Sequence, residues 1–467
     1  MISEKDRIRR EKILSGNLIT TIISICAPIF LYNLFNSFYS VIDAVVVARI
    51  DPTSVSAVAM LSQIQHLLSS LGAGMAAGGG IIVARFFGAG DMDGARMRSN
   101  QTISLSTIVI ALLLGICIPM ALPIMHLSGV PEKLISIGTG YFIVQIITLA
   151  FVFYNSVFMA MQKAKGNTKI MFWLNILVMI IKLLLSVLFI WGMEKTDIIW
   201  VAIATMIGQA VMFVILLLMM FDKDNVFIIK FNEFKLSFGI CLEIIAMSLP
   251  IFLGKFIFSF GKVSVNAMCK AYGPLVVGAL GVSNNMCGLV TTPINSFEEG
   301  TSTIISQNLG ANNLRRALNT FKYSFAMATV LGIIGYVLVR FICQDAIISL
   351  YNQNELAEGA EEFLALIKSI NRYDSLSIWS LAINSAVLGV LYGFGQTKMT
   401  MVLNISRVFI FRIPILWYLQ TFHHEIGAEA AGISMGISNI CIAIASLTCL
   451  FIFVMKIKKN GYKGMTI

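Results

Sequence analysis

Charge is scarce in this sequence. Only 12% of its 467 residues are Asp, Glu, Lys or Arg, against ~25% in an ordinary soluble domain. The gaps between its apolar runs are short, which excludes an inserted soluble domain. There are four histidines, with no ligand spacing. That excludes a histidine-built metal centre and leaves His423-His424-Glu425 as a solvated loop. The eight cysteines contain no CxxC pair, and six fall inside or at the ends of apolar runs. They read as small buried side chains, not as a disulfide framework. No GxxxxGKS or GxxxxGKT phosphate loop occurs, so nothing in the motifs points to a nucleotide-driven step. No metal and no cofactor is expected.

Apolar side chains take the place of charge. They make up 57% of the chain. Twelve long runs recur, at about 17–48, 55–84, 100–124, 134–161, 170–191, 198–221, 244–268, 275–306, 320–342, 363–392, 400–420 and 429–455. Each has ~20 residues or more, enough to cross a hydrocarbon layer of ~30 Å as a helix. Lipid offers no partner to a free backbone group, so each run must satisfy its own. The expected fold class is an all-α membrane protein with twelve transmembrane helices. The polar stretch before them, MISEKDRIRREKILSG, carries five cations. The run that follows is too long for the apolar region of a signal peptide, and no processing is expected.

The net charge of +10 could suggest nucleic acid, but its placement argues against that partner. If the N-terminus is cytoplasmic, inner segments hold 22 of the 34 Lys and Arg and outer loops hold four, Arg49, Lys133, Lys195 and Lys270. Such a bias sets orientation. Both termini are therefore expected on the cytoplasmic side of the cell membrane, in agreement with an even helix count.

The chain is written twice. At a shift of 222 residues, PIFL at Pro28 meets PIFL at Pro250, and Gly88-Ala89 meets Gly310-Ala311. At a shift of 229, Asn155 meets Asn384, GNTK (166–169) meets GQTK (395–398), and Leu174-Asn175 meets Leu403-Asn404. Apolar letters match by chance; polar GxTK and LN at one shift do not. Two six-helix units follow, 1–225 and 226–467. Six crossings is an even number, so both enter the membrane in the same sense. The two bundles should be related by a pseudo-two-fold axis along the membrane normal, a plan used by transporters.

These features, together with the FFGAGD and NLGANN loops and the proline-to-aspartate first helix, resemble the multidrug and toxic compound extrusion (MATE) transporters. The resemblance covers nearly the whole chain. It implies a secondary efflux transporter for small organic molecules, driven by entry of protons or sodium through alternating access, and no enzyme. A monomer in the lipid bilayer is expected.

Asp43 stands six residues before Arg49, about 9 Å along a helix at 1.5 Å per residue. A charge at such depth usually faces a cavity or a partner. The resemblance makes it the cation-coupling residue; the plainer reading pairs it with Arg49 or solvent. Pro28, fifteen residues earlier, has no amide hydrogen to give the carbonyl of Ser24. The helix can bend there, and Pro28 is the expected hinge. Asn36 lies two turns from Asp43 on the same face. Tyr141, Asn155, Asn175 and Thr205 stand where the resemblance implies the ion and substrate cleft, and each would equally serve as a helix-to-helix hydrogen bond.

Two departures narrow the ion site. Branches of the family carry a second aspartate where this chain has Met179, or a glutamate where it has Phe258. One acid in the first half favours protons over sodium. Lys182, seven residues after Asn175, shares that residue's face. It either pairs with Asp43 in one state or snorkels to the membrane surface. The second half carries Lys255, Lys262, Arg372, Arg412, Glu298, Glu299 and Asp374 within its spans. They either pair internally or line a cavity that would repel cationic drugs. Two rival functions remain in view: a lipid-linked oligosaccharide flippase of the same superfamily, and a membrane-embedded enzyme, for which the histidines supply no constellation.

Overall fold

The computed structural model describes residues 3–48, 52–127, 132–189, 193, 197, 199–234, 236–349 and 360–460. Within these, side chains at 38–48, 52–60, 62–63, 127, 132–134, 136–137, 231, 274, 349, 360 and 460 stand outside the description. Every regular element among the described residues is helical. Twelve helical stretches there are long and apolar enough to cross a membrane. The fold class expected from the apolar runs is the one observed.

The first half runs α1 (Glu4–Ser15), α2 (Leu18–Ala48), α3 (Pro52–Ala89), α4 (Met92–Cys117), α5 (Ala121–Leu127), α6 (Glu132–Ala164), α7 (Thr168–Val187) and α8 (Ile199–Phe221). The second runs α9 (Phe238–Cys269), α10 (Pro274–Ile294), α11 (Ser296–Gly310), α12 (Leu314–Val337), α13 (Gln344–Ser349), α14 (Ala360–Asp374), α15 (Ile378–Gly393), α16 (Thr397–Ser406), α17 (Ile413–Phe422) and α18 (Glu429–Asn460). Turn chemistry repeats with the sequence. Gly166 and Gly395, the glycines of GNTK and GQTK, both adopt positive φ (79° and 77°), which a side chain resists. The next helix starts two residues later in each case.

By packing, the chain divides into two compact units: Met1–Phe256 with Ser306–Asn313, and Ile257–Ile305 with Leu314–Ile467. The repeat boundary at 225 and this packing boundary describe different things. Residues 226–256 are tied to the first unit by ion pairs and by glycine packing. Glu233 receives Arg96 at 3.0 Å, and Glu243 receives Arg98 at 3.1 Å.

In the first unit α3 is the central helix, and the glycines of LGAGMAAGGG are why. A Cβ at Gly72 would stand 3.1 Å from the Phe153 ring on α6. At Gly78 it would stand 2.7 Å from the Cα of Ser248 on α9, and at Gly79 2.8 Å from Thr102 Oγ1 on α4. Three neighbours therefore press on one helix at positions without side chains, the usual role of small residues in membrane bundles.

The end of α3 meets the end of α11 in the same way, and reciprocally. A Cβ on Gly88 would lie 2.5 Å from the Cα of Gln307, and one on Gly310 would lie 2.8 Å from the carbonyl carbon of Arg85. These are the two glycines that the 222-residue shift aligns. The α1 helix braces this crossing. Arg10 donates from Nε to the Phe87 carbonyl (2.9 Å) and from Nη2 to the Gly88 carbonyl (2.8 Å), two orphan acceptors at the end of α3. Gln307 Nε2 donates to the Ala164 carbonyl at 2.6 Å. Buried Asp6 holds Arg9 at 2.7 Å and stands 3.6 Å from Lys165. Burial pulls the Lys165 ammonium below its ordinary pKa, and Asp6 offsets part of that shift.

The second unit packs α10 against α14, α12 against α15, and α18 against α14 and α15. Between α16 and α17 the helix widens into a single π turn, Arg407–Arg412.

Candidate functional site

The hinge and the acid share α2, which continues through Pro28 to Ala48. Asp43 lies on this helix, five residues before its end; its side chain falls outside the described residues. Pro28 does strand the Ser24 carbonyl, and the structure shows what answers it. Thr168 Oγ1, at the start of α7, donates to that oxygen at 3.3 Å. The threonine of GNTK thus replaces the missing amide. Thr168→Val should lower stability by about 1 kcal/mol, the net worth of one such bond. In a Pro28→Ala background, where the helix supplies its own donor, the same change should cost much less. A double-mutant cycle on thermal unfolding reads the difference. Equal costs in both backgrounds would remove the pairing from the account.

A second tie joins the two helices higher up, where the Phe35 and Phe172 rings lie 6.1 Å apart. The first tie links positions 144 residues apart and the second 137. Lys182 lies further along α7. It is half-buried and sits beside α8, where a Cβ on Gly208 would stand 3.9 Å from its own Cβ.

α8 gathers most of the other expected residues. Asn155, buried on α6, donates from Nδ2 to both the carbonyl (3.0 Å) and the Oε1 (2.9 Å) of Gln209. Thr205 stands one turn before Gln209, half-buried, and bonds its own helix at the Val201 carbonyl (3.0 Å). Asn155, Lys182 and Thr205 therefore converge on residues 205–209. Asn175 is half-buried, and its Nδ2 is taken up by the Met171 carbonyl of its own helix at 2.7 Å. Asn36 is exposed on α2. Tyr141 is buried in an apolar cluster with Leu61, Met125, Phe142, Ile146 and Ala202 of α8.

Two groups were missed by sequence reasoning. Gln209 had a signal, since it lies four residues after Thr205 on the same face. Thr168 was noticed only as part of a repeated motif. One further feature follows the repeat. Asn155 Oδ1 is buried without a hydrogen-bond partner among the described residues, and so is Oδ1 of its repeat mate Asn384. An unmade bond of that kind costs about 1–3 kcal/mol.

This arrangement is that of a twelve-helix membrane transporter with a polar centre in its first half. The MatE family model matches residues 28–188 and 250–418, each segment opening at its PIFL proline. The chain belongs to the MatE family. It is 21% identical over 421 residues to the "Probable multidrug resistance protein YoeA" of Bacillus subtilis (strain 168), covering 88% of both chains. In structure it resembles a multidrug resistance MATE family transporter of the MOP superfamily in an outward-facing conformation. The TM-score is 0.90 at 18% identity, covering 98% of this chain and 100% of the other. A MOP superfamily transporter from Pyrococcus furiosus matches with a TM-score of 0.91 at 18% identity and the same coverage.

Proposed function

We infer that the protein exports small organic molecules across the cell membrane in exchange for a cation. Its two repeats, 1–225 and 226–467, alternate in opening the substrate path to either side. The observation that carries this reading is the position of Asp43. It is the one Asp or Glu within the six apolar runs of the first repeat, on a helix that contains Pro28 and is tied at its stranded carbonyl to α7. The names of the relatives, multidrug resistance and multidrug export, support the direction and the substrate class.

The coupling ion is a proton. A sodium site needs several oxygens around its charge, and Met179 and Phe258 stand where further carboxylates would serve. One proton falling through about 100 mV releases roughly 2.3 kcal/mol. A tenfold solute gradient costs about 1.36 kcal/mol, so one proton sustains an outward gradient of roughly 50-fold for a neutral solute. No nucleotide is required. Both termini lie in the cytoplasm, on the side that holds most of the Lys and Arg, and the transporter works as a monomer.

Lys182 tunes the acid. It stands on the helix that Thr168 ties to α2, and its ammonium favours the charged carboxylate of Asp43 in one state of the cycle. Removing it in Lys182→Met leaves the carboxylate to hold its proton at higher pH. The pH profile of export should move upward by about one unit, the scale of one opposite charge within a few ångströms. An unchanged profile would leave Lys182 as a snorkelling side chain. The overall reading is tested by solute flux in liposomes, with proton and sodium gradients imposed separately. Flux driven by sodium alone would replace the proton in this scheme.

A further inference from the structure

The second unit carries a cluster that the export scheme does not use. Lys262 stands seven residues before the end of α9, well inside a membrane-crossing helix. Its ammonium lies 5.1 Å from the centre of the Phe258 ring, and the guanidinium of Arg407 lies 4.9 Å from the same centre. Phe258 thus brings two cations to one aromatic group.

The π turn adds a third. Hydrogen bonds five residues apart widen the turn and bring positions i and i+5 closer in angle than an α-helix does, and the two ends of this turn are Arg407 and Arg412. Both guanidiniums reach one acceptor: Asn439 Oδ1 takes Arg407 Nε at 3.0 Å and Arg412 Nη2 at 2.9 Å. Arg412 Nε also donates to Ser438 Oγ at 3.1 Å, and Asn439 Nδ2 donates to Ser377 Oγ at 2.8 Å. Asn439 is buried and locked in this orientation, so the two arginines are aimed by design of the fold and not by chance.

The local charge does not balance. Asp374, buried and bonded by Ser283 Oγ at 3.2 Å, is the carboxylate that acts on all three cations. None of the three has a carboxylate oxygen within 4.0 Å among the described residues. Three positive charges against one negative leave a surplus of about two at membrane depth, where an unpaired charge costs several kcal/mol. Arg412 is buried and Arg407 half-buried, but Lys262 is exposed. The surplus therefore has an open side.

We propose that Lys262, Arg407 and Arg412 form a binding site for the anionic head, carboxylate or phosphate, of an organic amphiphile. Arginine nitrogens beyond those held by Asn439 and Ser438 offer such oxygens charge-assisted hydrogen bonds, and the lysine adds a mobile point charge from the exposed side. The apolar body of the ligand lies along the membrane-spanning helices. The binding claim stands without any transport. Its extension to an exported cargo rests on the export reading above.

The test is binding to purified full-length protein in phosphatidylcholine nanodiscs, with 2-naphthoate as probe and neutral 2-naphthamide as control. The unmodified protein should bind naphthoate at least tenfold more tightly than the amide. Lys262→Met should remove most of that preference and leave the amide unaffected, and Lys262→Arg should restore it. Lys262 is exposed, so these variants should fold; retained thermal unfolding confirms it. Repeating the titration in nanodiscs containing phosphatidic acid separates the two sources of the anionic head. Competition assigns the site to a lipid headgroup, and its absence assigns it to a dissolved solute. Equal affinity for the two probes, or a preference that survives Lys262→Met in the folded protein, overturns the proposal.

Discussion

Asp43→Asn should abolish uphill export while leaving a folded protein. Asparagine keeps the shape of the side chain and can still accept and donate hydrogen bonds. It cannot gain or lose a charge. The driving ion then has no step at which its arrival changes the energy of α2, and a ligand that favours neither state shifts neither. The outward gradient of roughly 50-fold that one proton supports should fall to none. Solute binding should persist, because the cleft proposed for the substrate retains Asn155, Gln209 and Thr205 on their helices. The measurement is accumulation in liposomes under an imposed proton gradient, beside binding of the same solute. Full accumulation by the variant would move the coupling residue elsewhere in the chain.

The second large effect belongs to a glycine with no chemistry of its own. Gly88→Val places two methyl groups where the Gln307 backbone already stands, 2.5 Å from the position of the new Cβ. A flexible side chain could swing aside; a helix backbone braced by other contacts cannot. Gln307 is held by its bond to the Ala164 carbonyl, and the end of α3 is held by Arg10. Overpacking typically costs about 1–3 kcal/mol, and backbone against backbone sits at the top of that range or above. Thermal unfolding in detergent should drop sharply for Gly88→Val and less for Gly88→Ala, and Gly310→Val should behave like Gly88→Val. Export should fall with the same order. A Gly88→Val protein with unchanged unfolding and unchanged export would mean that the two helix ends do not close on one another in the working transporter.

The helices were legible because lipid enforces a simple rule. Runs of about 20 apolar residues must satisfy their own backbone, so composition alone revealed all twelve. Their ends were less legible. The run read as 100–124 is a helix from Met92 to Cys117, because the polar first turns of α4, with Arg96, Arg98 and Asn100, are held by Glu233 and Glu243 of a distant segment. The glycines of α3 are packing positions, as the Cβ distances show. Of the residues expected in a cleft, Asn155 and Thr205 converge with Lys182 on α8, and Tyr141 lies in an apolar cluster that includes Ala202 of α8. Nothing in the sequence separates a tyrosine that faces a cleft from one buried in a helix seam, since both occupy an apolar face. The second-half ions sort in a similar way. Asp374 and Arg412 are buried, Lys255, Glu298 and Glu299 half-buried, and Lys262 and Arg372 exposed. Arg407 escaped notice because α-helical periodicity puts it on a different face from Arg412, and only the π turn brings the two closer in angle.

The reciprocal crossing of Gly88 and Gly310 also bears on how such a chain could arise. Two identical six-helix polypeptides meeting around a dyad would each offer one glycine to the other, an isologous contact. Gene fusion would preserve that contact while freeing the rest of each copy to diverge. The two positions are then bound to a common fate: a bulkier residue at either one is rejected by its mate's backbone, however far the surrounding sequences drift apart.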